Sequence, residues 1–126
     1  PHSDYIEMKY WIYNGWDKSL KNIRNQLCVM LKEAAAMNQL TNENKIFDPP
    51  VTAVRNSEGN RWILISWDQA GRSWGNDRVP CMHVDPWFSE CVPGDTVQVK
   101  GRLWFYEGKN VLREIEKAKK EFSTLD

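Results

Sequence analysis

The chain lacks several features that would narrow its function at once. Neither sign of charge prevails: 17 Lys and Arg balance 17 Asp and Glu, for a formal net charge of zero. No basic excess therefore advertises nucleic acid, and no acidic block marks a solvating tail. No apolar run approaches the length of a membrane span, so no membrane partner is expected, and no signal-peptide pattern is visible. Histidine is scarce, at two residues, and Cys28, Cys81 and Cys91 show no CxxC spacing. Spacing alone assembles no four-ligand zinc site from such a set. A disulfide between Cys81 and Cys91 and a fully reduced chain fit the odd cysteine count equally well. The chain opens at Pro1 rather than Met, so an address signal could lie outside it, and the residues leave its compartment open.

What the chain has in abundance is tryptophan, seven in 126 residues. So many indoles are expected to divide between a core and a ligand surface. At this length the expectation is a single domain, 1–126.

Two strands are read at once from alternation. From Thr96 onward Val97, Val99, Leu103 and Phe105, with Gly101 among them, point one way. Gln98, Lys100, Arg102, Trp104 and Tyr106 point the other. The Pro93-Gly94-Asp95 turn introduces this strand. Tyr5–Tyr13 is rich in aromatic and β-branched residues and reads likewise, ending at an Asn14-Gly15 turn. Val51–Arg55 and Arg61–Trp67 read as a hairpin across a five-residue loop. The second of these is apolar on both faces, as an interior strand is. Leu20, Ile23, Leu27, Met30, Leu31 and Ala34 recur at steps of three and four, which predicts a long amphipathic helix over residues 17–38, capped by Asp17. Residues 41–50 read as a polar connection and 68–85 as a long irregular loop. Asp85-Pro86 is expected to begin a short helical turn through Trp87 and Phe88. After Gly108 the spacing of Val111, Ile115, Ala118 and Phe122 predicts a terminal helix, with Glu116 and Lys120 placed to pair. The fold class is therefore α+β: a mainly antiparallel β sandwich or barrel, one long helix near the N-terminus and a C-terminal helix.

Several constellations carry chemistry. His83 and Asp85, with Cys81, share one side of an extended segment and are metal-type donors; His2 and Asp4 repeat the spacing. Asp68, Asp77 and Asp85 offer oxygen to a hard cation. With no further histidine, a hydrogen-bonded His83 in a rigid loop is preferred, and no metal or other cofactor is expected. Asp68, Asp77, Asp85 and Glu107 are the carboxylates from which an acid–base pair would come. Cys81 or Cys91 as a nucleophile would need His83 as its base, and side chains one residue apart rarely meet. The residues leave open whether any bond is broken.

The strongest functional feature is the combination of aromatic and polar residues. Arg72, Trp74, Asn76, Asp77 and Arg78 cluster in one segment, with His83, Asp85 and Trp87 soon after. Indoles pack on the C–H face of a sugar ring while Asp, Asn, Arg and His bond its hydroxyls. Lys100, Arg102, Trp104 and Tyr106 instead place two cations and two aromatics on one strand face, the make-up of a single-stranded nucleic-acid platform.

Two family resemblances arise here. The stretch PGDTVQVKGRLWFYEGKN resembles the fourth-to-fifth strand passage of OB-fold domains, which implies nucleic-acid binding. Residues 48–108, from DPPVTAVRNSEGNRWILISW to PCMHVDPWFSECVPGDTVQVKGRLWFYEG, are similar to the C-terminal part of galactose-mutarotase-like β-sandwich proteins. That resemblance implies that Trp74, Asn76, His83 and Asp85 border a sugar site or seal the sandwich. The leading expectation is a carbohydrate-recognising β-rich domain, in itself or as part of a sugar-active enzyme. An OB-like nucleic-acid module is second. A protein-interaction module, with a protein partner or a second copy of itself, is third.

Overall fold

The computed structural model describes residues 4–123. Its elements run β1 (Tyr5–Tyr13), β2 (Leu20–Arg24), β3 (Cys28–Met30), β4 (Lys45–Asp48), β5 (Val51–Arg55), β6 (Arg61–Trp67), β7 (Ala70–Asn76), β8 (Cys81–Cys91), β9 (Thr96–Glu107) and α1 (Val111–Ser123). Two antiparallel sheets face each other. The first has the order β1-β9-β6-β5-β4. The second is centred on β8, with β7 along one edge and β2 and β3 along the other.

The alternation read from the sequence sets the layers. Val54, Ile65, Trp67 and Val99 face inward from the first sheet and meet Met82, Val84 and Phe88 from the second. The opposite face of the first sheet presents Val51, Ala53, Leu64 and Trp104, which α1 covers with Val111, Ile115 and Ala118. Each large side chain so buried stabilises the fold by roughly 1.5–3 kcal/mol. β6 thus has apolar neighbours on both sides, as its sequence requires. Asn110 caps α1, its Oδ1 accepting from the Arg113 amide at 3.4 Å. The predicted stripe Val111, Ile115, Ala118 and Phe122 is buried throughout.

The helix expected over residues 17–38 does not form. Strands β2 and β3 stand there instead, and they are one interrupted strand. Leu20 faces Cys91 and Arg24 faces Trp87, and the same register continues with Cys28 on His83 and Met30 on Cys81. Ile23, Leu27 and Leu31 are spaced by four, and four is an even number. A strand therefore keeps them on one face as surely as a helix does, and Val29 joins them on the core side.

The segment 68–85 is likewise not an irregular loop. Most of it is β7 and the start of β8, joined by a short turn. β7 reads AGRSWGN, a poor strand sequence that extends because β8 supplies its hydrogen-bonding partner. Gly75 lets other side chains close in, since a Cβ there would lie 2.6 Å from Asn42 Oδ1 and 2.8 Å from the Phe47 ring and would make their tips shift. The polar connection 41–50 holds β4, and the segment from Asp85 to Phe88 belongs to β8 rather than to a helical turn. Cys81 and Cys91 end opposite tips of β8, roughly 30 Å apart at the usual strand rise. The disulfide between them is excluded, and all three cysteines are free.

Candidate functional site

The outer face of the second sheet gathers the polar residues that its strands alternate away from the core. Register lays them out in rows. Cys28, His83 and Trp74 stand side by side across β3, β8 and β7, and Met30, Cys81 and Asn76 form the next row. On the other side Asp85 pairs with Arg72. Gln26 lies opposite Asp85, between the pairs Arg24–Trp87 and Cys28–His83.

Pro86 breaks this sheet in the middle of its central strand, where a residue without an amide hydrogen is normally excluded. On one side β7 bulges between Ala70 and Arg72. On the other, β2 parts from β3 and a side chain replaces the ladder: Asp85 Oδ1 accepts from the Leu27 amide at 3.2 Å. The Asn25 amide still donates to the Pro86 carbonyl at 3.2 Å. The opening is a cleft of about 660 Å³ lined by Asn22, Arg24, Gln26, Arg72, Asp85 and Trp87, among others.

The walls of the cleft are fixed. Asp85 Oδ2 accepts from the Trp74 indole at 2.7 Å and from Arg72 Nε at 2.9 Å. The Arg72 guanidinium also lies 4.5 Å from the Trp74 ring centroid. Trp87 is 36% exposed, and its indole donates to Asn22 Oδ1 at 2.9 Å. Asn22 reaches it from a φ of 53°, a left-handed conformation that Asn tolerates better than most residues. Gly71 leaves room beside the indole, since a Cβ there would come within 3.2 Å of Trp87 Cβ.

Beside the cleft, His83 is 3% exposed and stacked on Trp74 with ring centroids 3.8 Å apart. Its Nε2 lies 3.2 Å from Cys81 Sγ, so two residues on one strand face do meet, contrary to the sequence expectation. Its Nδ1 is buried beside the Leu27 backbone without a well-formed hydrogen bond. Burial holds the imidazole below its ordinary pKa; the Asp85 carboxylate and the Leu27 backbone pull it upward, and Arg72 pushes it down. Burial and the neighbouring Cys81 push the Cys28 thiol up. Burial also lowers the Lys45 ammonium, against a pull upward from Cys81. Lys45 Nζ donates to the Thr41 carbonyl and to Asn44 Oδ1.

The expected site residues fall into two groups on different sheets. Arg72, Trp74, Asn76, His83, Asp85 and Trp87 share the outer face of the second sheet, with Asp77 and Arg78 in the turn that joins its strands. Lys100, Arg102, Trp104 and Tyr106 lie on the first sheet, with Arg102 and Trp104 beneath α1. Trp104 is 8% exposed and its indole donates to Glu114; Arg102 pairs with Glu121 and packs on Tyr5 and Phe122. That face is helix-covered rather than an open platform. Asp68 accepts from the Lys100 amide, and Glu107 lies 3.8 Å from Arg61, so these carboxylates do not join Asp77 or Asp85. His2 lies outside the described residues. Asn22, Arg24 and Gln26 are not singled out by the sequence, and Cys28 only as one of three cysteines, because the segment reads as a helix.

Among the described residues no helix is long and apolar enough to cross a membrane. No family model and no curated protein matches the sequence. A crystal structure of a "putative aldose 1-epimerase" from Klebsiella pneumoniae subsp. pneumoniae is similar, with a TM-score of 0.51 and 12% sequence identity. The match covers 95% of this chain and 47% of that one, so the chain spans about half of that protein. The resemblance to galactose-mutarotase-like β-sandwich proteins is borne out as a likeness of fold.

Proposed function

We propose that this chain is a single domain that recognises carbohydrate, with the cleft at Pro86 as its sugar site. The observation that carries the reading is the meeting, in one cleft, of an oriented and part-exposed indole, Trp87, with the Arg72–Asp85 ion pair. A pyranose offers apolar C–H groups to the indole and hydroxyls to Arg72, Asp85, Asn22 and Gln26. The cleft volume of about 660 Å³ falls within the usual range of small-molecule sites, about 300–1,000 Å³. The fold of a protein named as an aldose epimerase is in keeping with it. Asp85 already accepts from three donors, which suits it to fixing the cleft wall more than to moving a proton.

Calorimetric titration with a panel of aldoses and oligosaccharides tests this. Saturable binding that is indifferent to salt is expected. Trp87→Ala is expected to weaken it about ten-fold or more, the equivalent of losing about 1.4 kcal/mol of ring contact. Binding unaltered by that substitution would place the sugar elsewhere.

A further inference from the structure

One cluster lies outside the sugar cleft and has no part in that reading. Cys28 Sγ, Cys81 Sγ and a ring nitrogen of His83 converge from β3 and β8, all within 4.8 Å of one another. We propose that these three side chains form a zinc site, with the fourth coordination position open to solvent.

The geometry is close to what zinc requires. Tetrahedral zinc with Zn–S near 2.3 Å and Zn–N near 2.0–2.1 Å places its ligand atoms about 3.5–3.8 Å apart. Cys81 Sγ and His83 Nε2 are already at 3.2 Å. Cys28 is the exposed member, so it is free to close the remaining distance and leaves a path for the ion. The other two are buried and held. The Trp74 ring lies 7° from parallel against the imidazole, and Thr52 Oγ1 donates to the His83 carbonyl at 2.7 Å. Two sulfurs and one imidazole form a soft donor set that selects zinc over magnesium or calcium. On binding, the thiol protons pass to solvent and the two thiolates balance the dication.

The Nδ1 of His83, opposite the nitrogen that faces Cys81, is buried beside the Leu27 backbone and lacks a well-formed hydrogen bond in the metal-free protein. A metal-bound imidazole carries its proton on the nitrogen opposite the metal and donates it to a nearby acceptor. The Leu27 backbone beside the ring is placed to serve. The sequence hides this site because its third member lies 53 positions before Cys81 and is brought in by strand pairing.

The test is equilibrium dialysis of the reduced protein against zinc, with cobalt substitution as a spectroscopic readout. One zinc per chain is expected, with a thiolate-to-cobalt charge-transfer band. Cys28→Ala, an exposed position that should leave folding intact, is expected to lower zinc affinity at least ten-fold and to remove part of that band. His83→Gln should do the same if its circular dichroism matches the parent. A His2→Ala control separates binding by the terminal segment. Zinc binding that survives Cys28→Ala but is lost in His2→Ala overturns the proposal. So does a reduced protein that takes up no zinc, or one in which Cys28 and Cys81 are found only as a disulfide.

Discussion

Trp74 and His83 lie face to face on neighbouring strands, ring centroids 3.8 Å apart and planes 7° from parallel. The β7–β8 register places them directly opposite each other, and Asp85 holds the indole from the next row. One tryptophan thereby links a cleft wall to the buried histidine.

Trp74→Ala should therefore cost more than its exposed area suggests. Loss of the stack, worth about 0.5–1.5 kcal/mol, adds to the loss of an indole bond to a buried carboxylate. A destabilisation of about 2–3 kcal/mol is expected in urea unfolding. Trp74→Phe keeps a ring against His83 but no donor for Asp85, and should fall between the two proteins.

The metal-free protein should lose stability in mild acid through His83. Its folded pKa lies below the ordinary value because burial penalises the charged ring. The unfolded chain therefore takes up a proton, at about pH 6.5, before the folded one does. This contribution is fully present above that pH and is lost as pH falls through the folded pKa. Melting temperatures at about pH 5 and pH 7.5 should differ less in His83→Gln than in the parent. An equal difference in both proteins would show that other groups carry the effect.

Gly101 should not accept a side chain. A Cβ there would lie 2.6 Å from the Trp67 ring and 2.7 Å from the Ser66 carbonyl oxygen. Because one of those neighbours is backbone, Gly101→Ala should cost about 1–3 kcal/mol, read from the denaturant midpoint.

The cover that α1 provides can be tested at Ile115, which is 1% exposed. Ile115→Ala is expected to cost about 2–5 kcal/mol and to loosen the helix over Trp104, shifting its emission to the red. With α1 in place, the parent should show no salt-sensitive response to single-stranded DNA, the reverse of a cation-lined platform.

Much of the first sheet was legible because β1 and β9 alternate, β6 is apolar on both faces and α1 has a clean stripe. The second sheet was not. Ile23, Leu27 and Leu31 satisfy helix and strand spacing alike, and the choice is made by β8, far away in sequence. β7 has no local preference for extension, and Pro86 argues against the central strand it occupies. His83, Asp85, Arg72 and Trp74 lie close in sequence and pair across β7 and β8, a hairpin where a loop was expected. Arg102 and Trp104 read as part of a ligand surface because alternation reports which residues share a face, not whether a helix returns to cover it.

The central claim is that Trp87 is the platform of a sugar site. The most direct measurement follows the indole N–H signals of all seven tryptophans by NMR while aldoses are titrated in at low and high salt. The Trp87 signal should shift and saturate irrespective of salt, while those of the buried Trp62, Trp67 and Trp104 stay in place. A Trp87 signal that does not move, or shifts confined to the more exposed Trp11 and Trp16, would contradict it.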